Sequence, residues 1–224
     1  MGVSGSGRCR VIIKVSLDTF QDWVVNRVAN LTQDLAWLSE EDYLRAEACR
    51  EIKHEYVAGA IYAMSGASKD HQRIAGNIYA AMNGFLKQQP CEAFASDVKV
   101  KAGKHFFYPD VMVVCEDNTQ EHYVDSPVII VDVLSKSTRR MDETVKKQAY
   151  QNIPSLQEYV LIEQDFVDVE VCRSRVGWAS SHYFLGDTVL FEVIGLSMSV
   201  ADIYERVNNE DMQVFLANKE AISH

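Results

Sequence analysis

Residues 106–115 read F-F-Y-P-D-V-M-V-V-C, and residues 126–138 read S-P-V-I-I-V-D-V-L-S-K-S-T. Both stretches contain runs of Val and Ile bounded by turn-forming residues, a pattern typical of buried β-strands. Each apolar run carries one acid in its interior, Asp110 in the first and Asp132 in the second. A buried carboxylate must be paired, protonated or neutralised by a cation, because leaving it unpaired is costly. The pattern indicates a metal site at the edge of a sheet.

Either acid alone is typical of a strand edge, a bulge or a turn, and only the presence of both favours a site. Pro109 supports the interpretation as a site, because proline has no N–H to donate to a β-ladder and belongs at a strand start, an edge or a bulge. We therefore expect the backbone to bend next to Asp110, inside the first strand.

Composition limits the class of protein. The chain has 224 residues, of which 47% are hydrophobic and 24% charged, as expected for one large globular domain or one domain with an appendage. No apolar run approaches the ~20 residues that a membrane span needs, and no secretory signal is recognisable. The odd number and wide spacing of the cysteines predict reduced thiols in a cytoplasmic protein. The five are Cys9, Cys49, Cys91, Cys115 and Cys172.

The net charge of −10 argues against a nucleic-acid partner, because phosphate binding depends on Lys and Arg. The distribution of charge weakens that argument. Basic residues cluster just before the first acid-bearing strand, at positions 99–105, and just after the second, at positions 136–147. A basic rim around the proposed site and an ordinary solvated helix face both remain open.

The chain divides into three predicted segments: an N-terminal extension or tag-like segment (1–38), the main domain (39–207) and a C-terminal tail (208–224). Within the main domain, Ser39 is expected to cap a short helix, and Gly59 to form the turn of a β-hairpin. Apolar residues at helical spacing predict two longer helices, over residues 71–88 and about 138–152. The predicted buried stripes are Ile74, Ala75, Ile78, Ala81, Met82, Phe85 and Leu86 in the first, and Met141, Val145, Ala149 and Ile153 in the second.

Six short sequence blocks occur in order along residues 39–205. They read H-E-Y-V-A-G, H-Q-R-I-A-G-N, Y-P-D-V-M-V-V, V-D-V-L-S-K-S-T, D-x-x-x-K-x-x-x-Y and S-L-Q-E-Y-V-L-I. In this order and spacing, the chain resembles the Uma-two family of bacterial restriction-endonuclease-like proteins, within the PD-(D/E)xK nuclease superfamily. The resemblance implies an α/β (α+β) fold. Its restriction-endonuclease-like core would be a mixed central sheet flanked by helices, with an added N-terminal hairpin and C-terminal strands.

The resemblance also implies a catalytic site made of Asp110, Asp132 and Lys146. Asp110 matches the family's P-D acid, and Asp132 the second acid, which is more often Glu in relatives. Asp110, Asp132 and the carbonyl of Val133 would bind Mg²⁺ (or Mn²⁺), a hard cation that prefers oxygen ligands. The motif lysine expected two residues after Asp132 is replaced by Leu134, and Lys146 on the following helix matches the position that takes over.

Further residues are candidates with weaker support. Glu55, His71 and Asp97 could add to the site, although a strand-end Glu, a helix-start His and a turn Asp are more often structural. Lys146 itself has a second interpretation, as an exposed partner of Asp142 at i,i+4. Relatives usually carry Glu at the position of Ala60.

These observations leave three functional hypotheses. The first is a Mg²⁺-dependent endonuclease that hydrolyses phosphodiester bonds, with DNA as the expected partner and without membrane association. The second is a catalytically weak or inactive protein of the same fold that binds nucleic acid or a protein. The third makes the two acids a protonated or salt-bridged structural pair. A homodimer is left open, and no organic cofactor is expected, since the chain has neither a P-loop nor a dinucleotide fingerprint.

Overall fold

The structure is a computed structural model that describes residues 38–116 and 120–222. These residues belong to two units that divide after Ala63. The predicted N-terminal extension, residues 1–38, lies outside the described residues except for Leu38. No helix in the part of the chain that the structure describes is long and apolar enough to cross a membrane.

The first unit contains one helix and one hairpin. Its elements are α1 (Glu40–Glu47), β1 (His54–Val57) and β2 (Ala60–Ala63). The Ser39 side chain accepts a hydrogen bond from the backbone N–H of Asp42, which confirms the predicted cap. Ala58 and Gly59 both have positive φ, at 45° and 103°, the conformation that a two-residue hairpin turn requires. The predicted hairpin is therefore confirmed.

Two tyrosines fix this unit internally. The rings of Tyr43 and Tyr56 are buried and stack with their centroids 5.0 Å apart. Their hydroxyls donate hydrogen bonds of 2.6 Å each, Tyr43 to the carbonyl of His54 and Tyr56 to the carbonyl of Leu38. Each ring thus contributes apolar packing while its hydroxyl remains hydrogen-bonded, as buried tyrosines require.

The second unit is built on a mixed sheet of six strands in the order β11-β10-β9-β8-β6-β3. The described strands of the whole unit, within and outside this sheet, are β3 (Glu92–Ala95), β4 (Lys99–Ala102), β5 (His105–Phe107), β6 (Val111–Val114), β7 (Tyr123–Val124), β8 (Pro127–Leu134), β9 (Glu158–Glu163), β10 (Val169–Arg173), β11 (Ser180–Tyr183), β12 (Thr188–Phe191) and β13 (Leu196–Ser199). Strands β8 and β9 are parallel, and the other neighbours in this sheet are antiparallel. Strand β4 pairs with β5 and β7, and β12 with β13.

Helices cover this sheet. They are α2 (Lys69–Phe85), α3 (Arg139–Met141), α4 (Lys147–Gln151), α5 (Val200–Ile203) and α6 (Glu210–Ile222). A π-helical turn, Asp142–Lys146, joins α3 to α4, and we call the continuous segment 139–151 the site helix. The mixed α+β class, with a sheet flanked by helices and further strands towards the C-terminus, is confirmed. Helix α6 begins within the predicted tail, and its Met212 is buried in the core.

Helix α2 packs along the sheet through the predicted stripe, with one exception. Ile74, Ile78 and Met82 are fully buried, whereas Phe85 is 40% exposed. The helix ends at Phe85, and the next residue, Leu86, is buried in the core. The prediction for Phe85 was wrong because the stripe continues at a spacing of four, from Met82 to Leu86, and leaves the residue at a spacing of three outside.

Strand β8 is buried over its whole length and separates two environments. Val131 and Val133 belong to the same apolar cluster as Ile74 of α2. Because successive side chains of a strand point to opposite faces, Asp132 faces away from this cluster. The strand therefore presents hydrocarbon on one side and a carboxylate on the other.

The site helix differs from its prediction in which side it buries. Asp142, Lys146 and Tyr150 are buried, while Met141 and Val145 of the predicted stripe are only partly buried. The buried face is the one that contains the charged and aromatic residues. Lys146 and Tyr150 pack against the ring of Phe107, and Asp142 pairs with Lys146. Apolar spacing alone could not identify it.

The cysteines also differ from their prediction. Cys91 and Cys115 form a disulfide. They flank β3 and β6, one step beyond the paired residues Glu92 and Val114, so the antiparallel register places them opposite each other. The expectation that they are reduced was wrong. The two cysteines are 24 residues apart in sequence, and only the register of β3 with β6 brings them together. Cys172 is a free, buried thiol, as expected.

Candidate functional site

The two predicted acids lie opposite each other on neighbouring strands. Strand β6 begins at Val111, which pairs with Val131 of β8, and one further step of this antiparallel register sets Asp110 opposite Asp132. Asp110 precedes the strand, so its predicted position inside it was wrong. Pro109 cannot donate to the ladder, and the side chain of Asp110 instead accepts a hydrogen bond of 2.8 Å from the backbone N–H of Val133.

Both carboxylate oxygens of Asp110 are held. Oδ1 lies 2.9 Å from Nε2 of His71 near the start of α2, and Oδ2 accepts from Val133 N. The side chain of Asp110 is 19% exposed, so it remains partly accessible from outside. Asp110 is therefore an oriented carboxylate at the surface end of the site.

Asp132 is the buried member of the pair. Its Oδ2 accepts a hydrogen bond of 2.8 Å from the hydroxyl of Tyr159, which lies on the parallel neighbour β9. Burial is the main cause that raises the pKa of Asp132 to about 8, and the negative charges of Asp142 and Asp110 also raise it. The ammonium of Lys146 and the Tyr159 hydrogen bond act in the opposite direction. The surrounding charges thus do not fully stabilise an ionised Asp132.

Lys146 points from the site helix into the same region. Its Nζ lies 3.0 Å from Asp142 Oδ1, and both side chains are almost completely buried. The same Nζ lies 5.7 Å from the centroid of the Phe107 ring, within the range of a cation–π contact. The pairing of Lys146 with Asp142 at i,i+4 was foreseen, but its predicted exposure was wrong, since the pair is inside the protein.

The hydroxyl of Tyr159 contacts both Asp132 and Asp142. Besides its bond to Asp132, its hydroxyl lies 3.3 Å from the backbone carbonyl of Asp142. Burial, together with the charge of Asp132, holds the pKa of Tyr159 well above its usual value, so the hydroxyl remains a donor. Its ring also meets that of Tyr150 edge to face, with centroids 5.2 Å apart.

Sequence reasoning did not assign Tyr159 or Asp142 to the site. Tyr159 lies in an apolar strand and reads as a core residue. A signal for Asp142 was present, because it shares one helix face with Lys146 and Tyr150, four residues apart in each step.

The carboxyl ends of β8 and β9 carry a further ion pair. The guanidinium of Arg139, at the start of the site helix, donates two hydrogen bonds to the carboxylate of Glu163. The hydrogen bonds that Arg139 donates to Glu163 raise the pKa of Arg139. Leu134, where the superfamily motif would have lysine, is buried at the end of β8. Lys146 is thus the lysine that the structure brings near Asp132.

The three additional candidates have different locations. His71 contacts Asp110 directly. Asp97 is exposed in the bend between β3 and β4, next to Ser96, whose N–H donates to the carbonyl of Asp110. Glu55 is buried on β1, within the first unit. The structure thus brings His71 into hydrogen-bonding contact with a predicted catalytic acid.

The donor set fits a hard divalent cation. Among the described residues, no three His, Cys, Asp or Glu side chains form a metal-binding group. Mg²⁺ does not require one, because it is usually held by one or two carboxylates together with water and substrate phosphate. Asp110 and Asp132 provide two opposed carboxylates, and the raised pKa of Asp132 reflects burial and negative charge that a cation would offset.

The chain is similar to a nuclease family over most of its length. The Uma2 (Uma-two) family, described as "Putative restriction endonuclease", matches residues 40–201. Two relatives come from Synechocystis sp. (strain ATCC 27184 / PCC 6803 / Kazusa). "Uncharacterized protein slr1290" is 34% identical over 173 residues, which cover 75% of this chain and 91% of the relative. "Uncharacterized protein sll1609" is 36% identical over 140 residues, covering 59% and 78%.

A solved structure shows the same fold. The crystal structure of "a putative nuclease belonging to DUF820" from Anabaena variabilis ATCC 29413 superposes with a TM-score of 0.60, at 19% identity, over 71% of this chain and 93% of that one. The range matched by the family model, residues 40–201, contains both the hairpin and the six-stranded mixed sheet. The chain belongs to the Uma2 family of restriction-endonuclease-like proteins.

Proposed function

We propose that this protein is a Mg²⁺-dependent endonuclease that hydrolyses phosphodiester bonds of DNA, with Mn²⁺ able to replace Mg²⁺. The observation that carries the proposal is the opposition of Asp110 and Asp132 across β6 and β8. Membership of the Uma2 family supports the nuclease class. Metal dependence rests on the chemistry of the two carboxylates, and DNA is proposed as the substrate because the family is described as restriction endonucleases.

Asp110, Asp132 and the carbonyl of Val133 are the proposed metal ligands. A bound Mg²⁺ would polarise the phosphoryl oxygen, acidify a water and offset the charge that builds up in the transition state. The chain's own contribution is to hold the carboxylates in place. Val133 does this for Asp110 through its N–H, and Tyr159 does it for Asp132 through its hydroxyl.

Lys146 is the proposed catalytic cation. In the reaction, a water oxygen forms a bond to phosphorus, the bond from phosphorus to the leaving sugar oxygen breaks, and that oxygen takes up a proton. Lys146 would orient the attacking water or stabilise the charge on the phosphoryl group. Its ion pair with Asp142 fixes the ammonium inside the protein, and its charge acts on Asp132.

Basic residues near the start of β5 support a nucleic-acid substrate. Lys104 is exposed in the turn that joins β4 to β5, while Lys99 and Lys101 lie on β4 and are partly buried. Phe107, on β5, contacts Lys146 of the site. Exposed Lys in this turn would contact phosphates and make binding sensitive to salt.

A binding module without turnover is the second candidate function. The buried pairing of Lys146 with Asp142 favours it, because a lysine already engaged with a carboxylate is less available to substrate. Leu134 at the usual lysine position, Ala60 and the net charge of −10 point the same way. Such a protein would bind nucleic acid or a protein partner without cleaving it.

Nicking of supercoiled plasmid separates the two candidates. The purified protein should nick plasmid slowly in Mg²⁺ or Mn²⁺, faster at low salt, and should stop when a chelator is added. Asp110→Ala should remove the activity, and Glu92→Gln, an exposed acid on β3, should retain it. Nicking that persists in Asp110→Ala would count against the proposal, because the activity would not depend on the proposed metal ligand. Metal binding with no cleavage of duplex DNA, single-stranded DNA or RNA would favour the binding module.

A further inference from the structure

A chain of hydrogen bonds leads from Asp110 to the cap of α2. Oδ1 of Asp110 lies 2.9 Å from Nε2 of His71, and the backbone N–H of His71 donates to Oγ of Ser68 at 3.0 Å. A carboxylate is an acceptor, so the imidazole hydrogen of this contact belongs on Nε2. Ser68 is the N-cap of α2, and His71 is in its first turn. The cap of the helix and the orientation of Asp110 are therefore connected.

The same series of hydrogen bonds leads back to the other carboxylate oxygen of Asp110, Oδ2. The hydroxyl of Ser68 donates to Oε1 of Gln164 at 2.5 Å, and Nε2 of Gln164 donates to the carbonyl of Leu134 at 3.0 Å. Leu134 follows Val133, whose N–H donates to Oδ2 of Asp110. These contacts close a ring, which we call the Asp110 ring: Asp110, His71, Ser68, Gln164, Leu134 and Val133.

We propose that His71, Ser68 and Gln164 are positioning residues of the metal centre, which orient the carboxylate of Asp110 towards the cation. The inference rests on the proposed function, because it concerns the same site. Gln164 lies outside the sequence blocks that resemble the family.

The geometry explains why the ring matters for Asp110. Val133 holds one oxygen through a backbone N–H that no side-chain substitution removes. Without His71 the carboxylate would keep that single bond and could rotate about it, which would displace the oxygen offered to the cation. Side chains that orient a metal ligand typically change affinity by ~10–100-fold when they are removed.

Within the described residues, the contact with Asp110 is the hydrogen bond of the His71 imidazole. Its Nδ1 is buried and has no hydrogen-bond partner among residues 38–116 and 120–222. A histidine retained only for packing would not need its polar edge at Asp110, where a phenylalanine would fill the same volume. The bond from Nε2 to Asp110 is thus the feature that distinguishes histidine at this position.

Calorimetric titration of the full chain with Mn²⁺ and with Mg²⁺ tests the proposal. His71→Phe keeps the ring volume and removes the donor, so it should weaken binding of both ions by about 10–100-fold. His71→Gln places an amide N–H near the position of Nε2 and should recover most of the affinity, whereas His71→Asn should not. Gln72→Ala, at an exposed position in the same helical turn, is the matched control and should bind as the wild type does.

Gln164→Leu gives a second test that leaves α2 unchanged. Gln164 is only partly buried, so this variant should fold even if His71→Phe does not, and it should weaken binding by several-fold. Folded His71→Phe and Gln164→Leu proteins with wild-type affinity would overturn the inference while leaving the proposed function in place. A wild-type protein that binds neither ion would overturn both.

Discussion

The ammonium nitrogen of Lys146 lies 3.0 Å from a carboxylate oxygen of Asp142, both side chains are buried, and the ammonium also lies over the ring of Phe107. Removing charges from water is costly, and only a close partner offsets that cost. The pair is therefore more sensitive to the loss of one partner than to the loss of both. This asymmetry allows the structural role of Lys146 to be separated from its proposed catalytic role.

We predict that Lys146→Met destabilises the protein by about 3–5 kcal/mol, because it leaves the carboxylate of Asp142 buried without its cation. The double variant Asp142→Asn/Lys146→Met should recover most of this loss, since neither side chain is then charged. Urea denaturation followed by circular dichroism measures both effects.

The same double variant should remain unable to nick plasmid while binding Mg²⁺ with nearly wild-type affinity. A stable double variant that cuts DNA at the wild-type rate would show that Lys146 is structural only. Lys146→Arg should restore little activity, because the guanidinium is larger and planar.

The second prediction concerns the metal. Titration with Mg²⁺ should show binding to the wild type that Asp132→Asn largely abolishes, because the variant lacks one of two carboxylate ligands. At a Mg²⁺ concentration about 100 times the Kd, the wild type should gain about 2.7 kcal/mol of stability by linkage. Asp132→Asn should gain nothing, and Glu92→Gln should gain as much as the wild type. Equal affinity in Asp132→Asn would refute the proposed centre.

The third prediction concerns pH in the presence of a chelator. Burial raises the pKa of Asp132 from 3.8 to about 8, so the folded protein holds a proton that the unfolded chain has released. The contribution of Asp132 to the free energy of unfolding is then fully present below pH 4 and is lost as the pH rises towards 8. Asp132→Asn does not titrate and should lack this decline.

Urea denaturation at a series of pH values checks this, with the difference between wild type and Asp132→Asn as the observable. The difference should change between about pH 4 and pH 8 and stay constant above. A difference that moves in the opposite direction would mean that Asp132 is ionised in the folded protein at neutral pH.

The fourth prediction concerns the disulfide. Peptide mapping without reductant should recover Cys91 and Cys115 in one linked fragment. Replacing both by alanine should lower the free energy of unfolding by about 3 kcal/mol, because the bond closes a loop over a separation of 24 residues. Alkylation of both thiols in freshly prepared protein would show that the bond is absent in solution. The cytoplasmic prediction assumed that the cysteines are reduced. The bond between Cys91 and Cys115 removes that support for this pair.

Local pattern was enough to predict most elements of the fold and to single out Asp110 and Asp132. The Val and Ile runs gave β6 and β8, and the spacing from Ile74 to Met82 gave α2. These features depend on neighbours in the sequence, so periodicity and capping residues determine them.

Features that depend on distant residues were missed. The disulfide forms because the register of β3 with β6 places the two cysteines opposite each other. The buried face of the site helix depends on its contacts with Tyr159 and Asp132 of the sheet. An apolar stripe predicts burial only where the partner surface is apolar. At this site Lys146 and Asp142 satisfy each other, and Lys146 and Tyr150 pack on aromatic rings, so the charged face of the helix is the buried one.

The π-helical turn Asp142–Lys146 has a consequence for changes in chain length. A π-helical turn holds one residue more than a regular α-helical turn, as if one residue had been inserted into the helix. Deleting one residue here would restore a regular helix and rotate the following residues by about 100°, moving Tyr150 away from Tyr159. Such a deletion should preserve helical content by circular dichroism and lower the free energy of unfolding, because it removes the packing of Tyr150 on Tyr159. At this segment the number of residues, and not only their identity, is constrained.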